Sequence, residues 1–459
     1  MFESMKRAIR QADTYRYVGK ITRVVGTTLE GDLPRARIGA TCRIEPAGAP
    51  ALMAEIVGLR GEQALLMPLG PIQGLTAGAP MVMTSDRSTV ELGEECLGRV
   101  LDALGRPIDR KGELVHTHPY PVMSEAPKPL DRRPVHKPLD LGVRAVNGLL
   151  TIGEGQRIAI AAGAGVGKST LLGMMARHTE ADVAVIALVG ERGREVQEFV
   201  DEELVGPRAG RIVVVASTSD EPAAMRLRAA FTATAIAEYF RDRGRRVLLM
   251  MDSLSRVVQA QREVGLSTGE VPATRGYPPS AFAVIPALLE RAGQGPRGSI
   301  TAIYTTLFDG GDDMDPVSDA VRATTDGHIV LSRDLAERGI YPAIDVPKSI
   351  SRVMRQVTEA GHQRAAEGYR ALLHDLQVAQ DLASLGAYTA GANPQYDRAM
   401  ELAPRLMGFL RQAPAEAASM EDAVGELTQL VQTKPSASNL RRPAAKPTPK
   451  PNAYAAAAE

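Results

Sequence analysis

The 459-residue sequence has no tryptophan and only 4% aromatic residues, too few for the stacking platforms on which single-stranded nucleic acids rest. Its two cysteines, Cys42 and Cys96, exclude a disulfide scaffold and a thiolate metal cluster, and both are expected to be reduced thiols. Formal charge cancels, with 54 basic and 54 acidic side chains, so no net field draws the molecule onto nucleic acid or an anionic membrane. No apolar run is long enough to cross a bilayer, and the opening residues MFESMKRAIRQADTYRY lack the apolar stretch and cleavage site of a secretory signal. A cytoplasmic location is expected, with any membrane association peripheral or through partners.

What is present has the balance of an ordinary globular protein, 44% apolar and 24% charged, at a length that calls for two or three domains. Within residues 1–17, Phe2, Met5 and Ile9 recur at helical spacing and predict an amphipathic helix that either packs on its own domain or docks a partner. From 18 to 93 come short β-rich runs, VGKITRVVGTTL, ATCRIEP, MAEIVGL, QALLMPL and APMVMTS, broken by Gly, Pro and Asp, which predict a small β-barrel. None of these runs carries active-site residue types, so the barrel is expected to hold subunits together.

Residues 94–350 read as a third kind of segment. A proline-rich stretch between Tyr120 and Asp140 predicts an extended connector. Thereafter QRIAIAA, DVAVIALV, RIVVVAS, RVLLMM, SITAIYTTL and HIVLS alternate with helical patterns, which predicts a mostly parallel sheet covered on both faces. Over 351–433 the β signal vanishes and helical patterns such as GYRALLHDLQVAQDLASLGAY take over. The tail, 434–459, has five prolines, five basic residues and an alanine run, and is expected to be disordered.

The strongest motif is Ala162-Gly163-Ala164-Gly165-Val166-Gly167-Lys168-Ser169-Thr170, set between an apolar strand and a helix. Glycines let successive backbone N–H groups turn inward around phosphates, the helix N-terminus adds its positive dipole, Lys168 can reach the outer oxygens, and Ser169 can hold Mg2+. Ala162 stands where the motif usually begins with glycine, outside the cradle itself. Asp252 ends RVLLMM, where a carboxylate can join the magnesium shell. Hydrolysis also needs a group that orients or deprotonates water, and Glu191, just past DVAVIALVG, is the candidate; spacing alone leaves Glu191 and Arg192 equally readable as solvated loop charges.

Over roughly Val18 to Gln412 the chain resembles the flagellar and type III secretion export ATPases, relatives of the catalytic subunits of rotary ATP synthases. The stretches that carry the resemblance are AGAGVGKST, LVGERGREVQEF, MMDSLSRVVQAQREVGLSTGEVPATRGYPPSAFAVIPALLERAGQG and DGHIVLSRDLAERGIYPAIDVPKSISRVM. The resemblance implies a RecA-like P-loop domain between barrel and helical domain, ATP as substrate, Glu191 as the water-activating carboxylate with Arg192 beside the phosphates, Tyr341 against adenine, and Arg352 as an arginine finger reaching a neighbouring subunit. Because one chain carries both Glu191 and Arg352, a homo-oligomer with sites at its interfaces is expected, most simply a six-membered ring. Implied partners are a regulator on the N-terminal helix, a central stalk protein, chaperone–substrate complexes and a membrane export gate.

Rivals are a rotary synthase subunit, a ring-shaped nucleic-acid translocase, and a scaffold that binds nucleotide without turnover. The nearly uncharged AYTAGANPQYDRAM after DLASLG departs from the acidic lever of a synthase subunit and is similar to the export ATPases. The wording GEVPATRGYPPS and SISRVM favours a flagellar over an injectisome system. The turns Gly276-Tyr277-Pro278-Pro279 and Gly310–Asp313 are read as loops near the ring's centre or the nucleotide edge.

Overall fold

The computed structural model describes residues 17–206, 208–307 and 315–433. The N-terminal helix, the Gly310–Asp313 run and the tail therefore lie outside the described residues. Strands β1 (Val18–Val25), β2 (Thr28–Asp32), β3 (Thr41–Ile44), β4 (Leu52–Arg60), β5 (Gln63–Pro68) and β6 (Pro80–Ser85) close a barrel in the order β1-β2-β5-β4-β3-β6. Alternate residues point inward, so Ile21, Leu29, Ile44, Ile56, Leu66 and Met81 are wholly buried in its centre. The single apolar run VGKITRVVGTTL is two strands, because Gly26 takes φ +56° and reverses the chain.

The next strand, β7 (Thr89–Leu92), is outside the barrel and pairs antiparallel with β9 (His118–Pro121), while β8 (Val100–Leu101) joins the edge of the central sheet. The proline-rich connector thus begins inside a small sheet, and Val122 just after it is fully buried. Beyond it, Arg132 donates from Nη1 to the carbonyl of Ala292 at 2.9 Å, pinning the extended segment to the core without strand pairing.

The central sheet adds β10 (Arg157–Ala162), β11 (Val183–Glu191), β12 (Ile212–Thr218), β13 (Arg246–Asp252), β14 (Gly293–Gln294), β15 (Ser299–Leu307), β16 (Gly327–Val330) and β17 (Ile350–Ser351). Its order is β17-β16-β10-β15-β13-β11-β12-β8, with β14 paired to β15. Neighbours from β16 to β8 run parallel, so the carboxyl ends of β10, β11, β13 and β15 share one edge, while β17 returns antiparallel along β16. Both faces are covered: Ala184, Ile186 and Leu188 of β11 belong to one hydrophobic cluster, Val183, Val185, Ala187 and Val189 to the other.

Three C-terminal helices, Ala360–Ser384, Pro394–Leu410 and Met420–Gln432, pack together, with the rings of Tyr369 and Phe409 5.3 Å apart and the Tyr369 hydroxyl donating to the Leu406 carbonyl. Leu372, Leu402 and Leu427 from these helices lie in the same cluster as Ile160 and Ile186 of the sheet, so the helical region is continuous with the sheet core. On the other face, buried Arg291 and Glu238 form a bidentate pair at 3.0 and 2.5 Å, and Arg291 also donates to the Val122 carbonyl. Among the described residues, no helix is long and apolar enough to cross a membrane.

Candidate active site

The phosphate-loop motif leaves the carboxyl end of β10 and runs into the helix Lys168–His178. Gly165 and Gly167 have φ of +75° and +88°, the left-handed region that a side chain strains to enter. A β-carbon at Gly165 would meet nothing within 4 Å, so the loop faces open space there. Val166 points the opposite way into the core and anchors it. No side chain caps the helix, which leaves the first-turn N–H groups to a ligand, with Ser169 and Thr170 exposed beside them.

Lys168 gathers the acidic residues of two neighbouring strands. Its ammonium is ion-paired to Asp252 at the end of β13 and lies 3.5 Å from Oε1 of Glu191 at the end of β11. Burial alone would depress the ammonium, but the charges of Asp252 and Glu191 and hydrogen bonds to them hold it above its ordinary value. Burial pushes the Glu191 carboxyl up, the negative charge of Asp252 adds to the rise, and Lys168 opposes it. A carboxyl displaced upward between a cation and a second carboxylate suits a proton acceptor. Glu191 owes its aim to Gly190, which has φ +72° and coincides with a register shift of β11 against β12.

The motif residues come together unequally. Gly163 to Thr170, Lys168, Glu191 and Asp252 converge at one sheet edge. Tyr341, half exposed, lies over the loop: a β-carbon at Gly167 would be 3.3 Å from its Cδ1. Arg192 is adjacent in sequence only, since its exposed guanidinium donates to Glu195 at 3.4 Å and is no part of the Lys168 cluster.

Arg352 stands at the opposite end of the sheet. Its amide donates to the Asp326 carbonyl at 3.0 Å, and the Asp326 amide donates to the carbonyl of Arg157, the first residue of β10. The phosphate loop leaves the last residue of β10, about 17 Å away for five steps of ~3.3 Å. The Arg352 side chain is exposed, and its Nη1 donates to the Thr325 carbonyl at 3.2 Å.

Two supporting residues carry no motif. Thr305, fully buried on β15, donates to Oδ1 of Asp252 at 2.9 Å; its only trace in the sequence is a threonine pair in an apolar strand. Gln412, just past the Pro394–Leu410 helix, donates its amide to the Tyr341 carbonyl and its side chain to the Gly142 carbonyl. Nothing in the sequence singles it out.

Loop, lysine and carboxylates fit a nucleoside triphosphate. Among the described residues there is no group of three or more His, Cys, Asp and Glu able to cage a metal. Ser169 and Asp252 alone suit magnesium, which keeps several waters and takes further oxygens from substrate phosphates.

Residues 142–351 match the ATP synthase alpha/beta family, nucleotide-binding domain, and residues 358–429 match the T3SS EscN ATPase C-terminal domain. The second match separates the chain from the rotary synthase subunits at the region where the sequence departs from an acidic lever. The chain is 47% identical to the flagellum-specific ATP synthase of Bacillus subtilis, over 93% of this chain and 98% of the relative. It belongs to the flagellar and type III secretion ATPase family. Among solved structures, the assembled ATPase EscN of enteropathogenic E. coli is similar with TM-score 0.85 and 44% identity, over 90% of this chain and all of EscN. EscN in complex with its central stalk EscO gives TM-score 0.83 and 43% identity over the same shares.

Proposed function

We propose that this chain hydrolyses Mg-ATP at the interfaces of a homo-oligomeric ring, most simply of six subunits, and that the ring drives protein export through a flagellar type III apparatus. The observation that carries this reading is the placement of Arg352: exposed, and at the far end of β10 from its own phosphate loop. A guanidinium so placed serves catalysis only in a neighbour's site. The assembled forms of EscN support the ring, and its complex with EscO supports a central stalk as partner.

In this mechanism the backbone of 163–170 cradles the phosphates and the Tyr341 ring covers adenine. Lys168 exchanges its carboxylate partners for the γ-phosphate oxygens. Ser169, and Asp252 through the metal's waters, would hold magnesium, which would supply positive charge against the phosphates. Release from Lys168 leaves Glu191 more basic at the moment it must orient water and accept its proton. Arg192 turns toward the same phosphates from a surface pair weak enough to exchange. Arg352 of the adjacent subunit meets the developing charge, so turnover and subunit packing change together.

Work done by that change falls on an export substrate with its chaperone, at the cytoplasmic face of the membrane beside an export gate and with a regulator on the N-terminal segment. The similarity of the C-terminal helices to the EscN domain favours an injectisome as the second reading; flagellar genes beside this one would decide for the first.

Arg352→Ala tests the core of the proposal. Removing a finger supplied in trans should lower kcat by ~10³ or more while mass in solution stays that of the parent ring. ATPase rate per subunit in the parent should rise cooperatively with protein concentration. Full activity of Arg352→Ala in an intact ring would overturn the assignment.

A further inference from the structure

The same strand that launches the phosphate loop also holds the finger. Gln156, the residue before β10, is fully buried, and every hydrogen-bonding atom of its carboxamide is engaged. Its Oε1 accepts from the Gly153 amide at 2.8 Å. Its Nε2 donates to the Asp326 carbonyl and to the Ser351 hydroxyl, both at 3.1 Å. Asp326 is the residue whose carbonyl receives the Arg352 amide, and Ser351 is its immediate neighbour. The Ser351 hydroxyl in turn donates to the Thr151 carbonyl at 2.8 Å.

One side chain therefore grips the residue before Arg352 and the carbonyl that receives the Arg352 amide, at the chain's short return strand β17, which pairs with β16 over two residues only. Besides that grip, the segment is held by the short ladder, by the Arg352 amide on the Asp326 carbonyl, by Nη1 of Arg352 on the Thr325 carbonyl and by the Ser351 hydroxyl on the Thr151 carbonyl. The anchoring does not extend to the site in the same chain, since the whole length of β10 intervenes.

We infer that Gln156 is a positioning residue for the neighbour's reaction: it sets Arg352 for the adjacent subunit's triphosphate and leaves its own nucleotide site intact. The inference rests on the trans role of Arg352 proposed above.

Gln156→Glu tests it, since the replacement is of equal size but has no donor for the Asp326 carbonyl. In homogeneous rings kcat should fall at least about tenfold, with KM for ATP within about twofold of the parent, because ground-state binding is untouched. The decisive reading comes from mixed rings. Lys168→Ala subunits lack a working site but offer a sound finger, so equimolar mixing with Gln156→Glu should restore activity to at least about threefold above either parent alone. A defect in the variant's own site cannot be repaired by a neighbour, so failure to complement would overturn the inference.

Arg352→Ala mixed with Lys168→Ala is the control for the reading beneath it: no complementation there sinks the trans finger itself, whereas complementation there but not with Gln156→Glu sinks only Gln156. Ser351→Ala, which removes one of the two grips, should behave as a milder Gln156→Glu. A Ser351→Ala ring with parental kcat, together with a Gln156→Glu ring altered in KM alone, would place Gln156 outside finger positioning.

Discussion

The Tyr341 ring and the Gly167 backbone are in van der Waals register, with 3.3 Å left between Cδ1 and the place a β-carbon would occupy. Gly167→Ala should therefore fail twice. A side chain at φ +88° costs about 1–2 kcal/mol, and the methyl presses the ring off the loop. Nucleotide affinity should drop by at least about tenfold in a fluorescent-nucleotide titration. Tyr341→Phe, which keeps the ring, should bind like the parent; equal loss in both variants would remove the ring from adenine binding.

Glu191 gives the site a pH dependence of fixed sign. Its folded pKa is raised above the ordinary 4.5. Below that ordinary value both folded and unfolded chains hold the proton; as pH rises through the folded value the folded chain must ionise a group it prefers neutral, and stability is lost. Glu191→Gln should consequently melt about 2 °C or more above the parent at pH 7 and show no such gain at pH 4. If Glu191 is the base proposed above, turnover needs its ionised form and should have an acid limb displaced above the ordinary carboxyl value that Glu191→Gln abolishes along with most of kcat. A limb at or below the ordinary value would assign it to another group.

The Arg291–Glu238 pair makes a structural prediction well away from the chemistry. Both side chains are buried, so Arg291→Leu strands a carboxylate in the core and should destabilise by about 3–5 kcal/mol in urea unfolding. Adding Glu238→Leu should recover much of the loss, because an apolar pair of similar volume leaves no stranded charge. If the double variant is no better than the single, the cost lies in the lost bond to the Val122 carbonyl.

Much of this was legible in the chain. Strands buried on both faces appear as unbroken Val, Ile and Ala runs, and a phosphate loop needs glycines at positions no other residue tolerates; both signals are local. Non-local facts stayed hidden. That β7 pairs with β9 across an intervening edge strand, rather than joining the barrel, depends on a partner 26 or more residues away. Lys168, Glu191 and Asp252 were each visible, yet their convergence is decided by the strand order β10-β15-β13-β11, which no periodicity encodes. Thr305 and Gln412 act through hydrogen bonds to distant parts of the chain, and a lone polar residue looks the same whether it supports a site or faces solvent. Arg352 was named from resemblance; its separation from its own loop is the fact only coordinates supply.

Among the described residues the barrel is a complete cylinder whose every strand has both neighbours supplied from within. A collar built this way cannot be joined to the next by continuing a sheet. In the proposed ring, any grip on an adjoining copy would rest on side chains and loops, which can slip and re-form without tearing a sheet. In the ring proposed above, contacts of that kind could shift during turnover while the collars stay side by side.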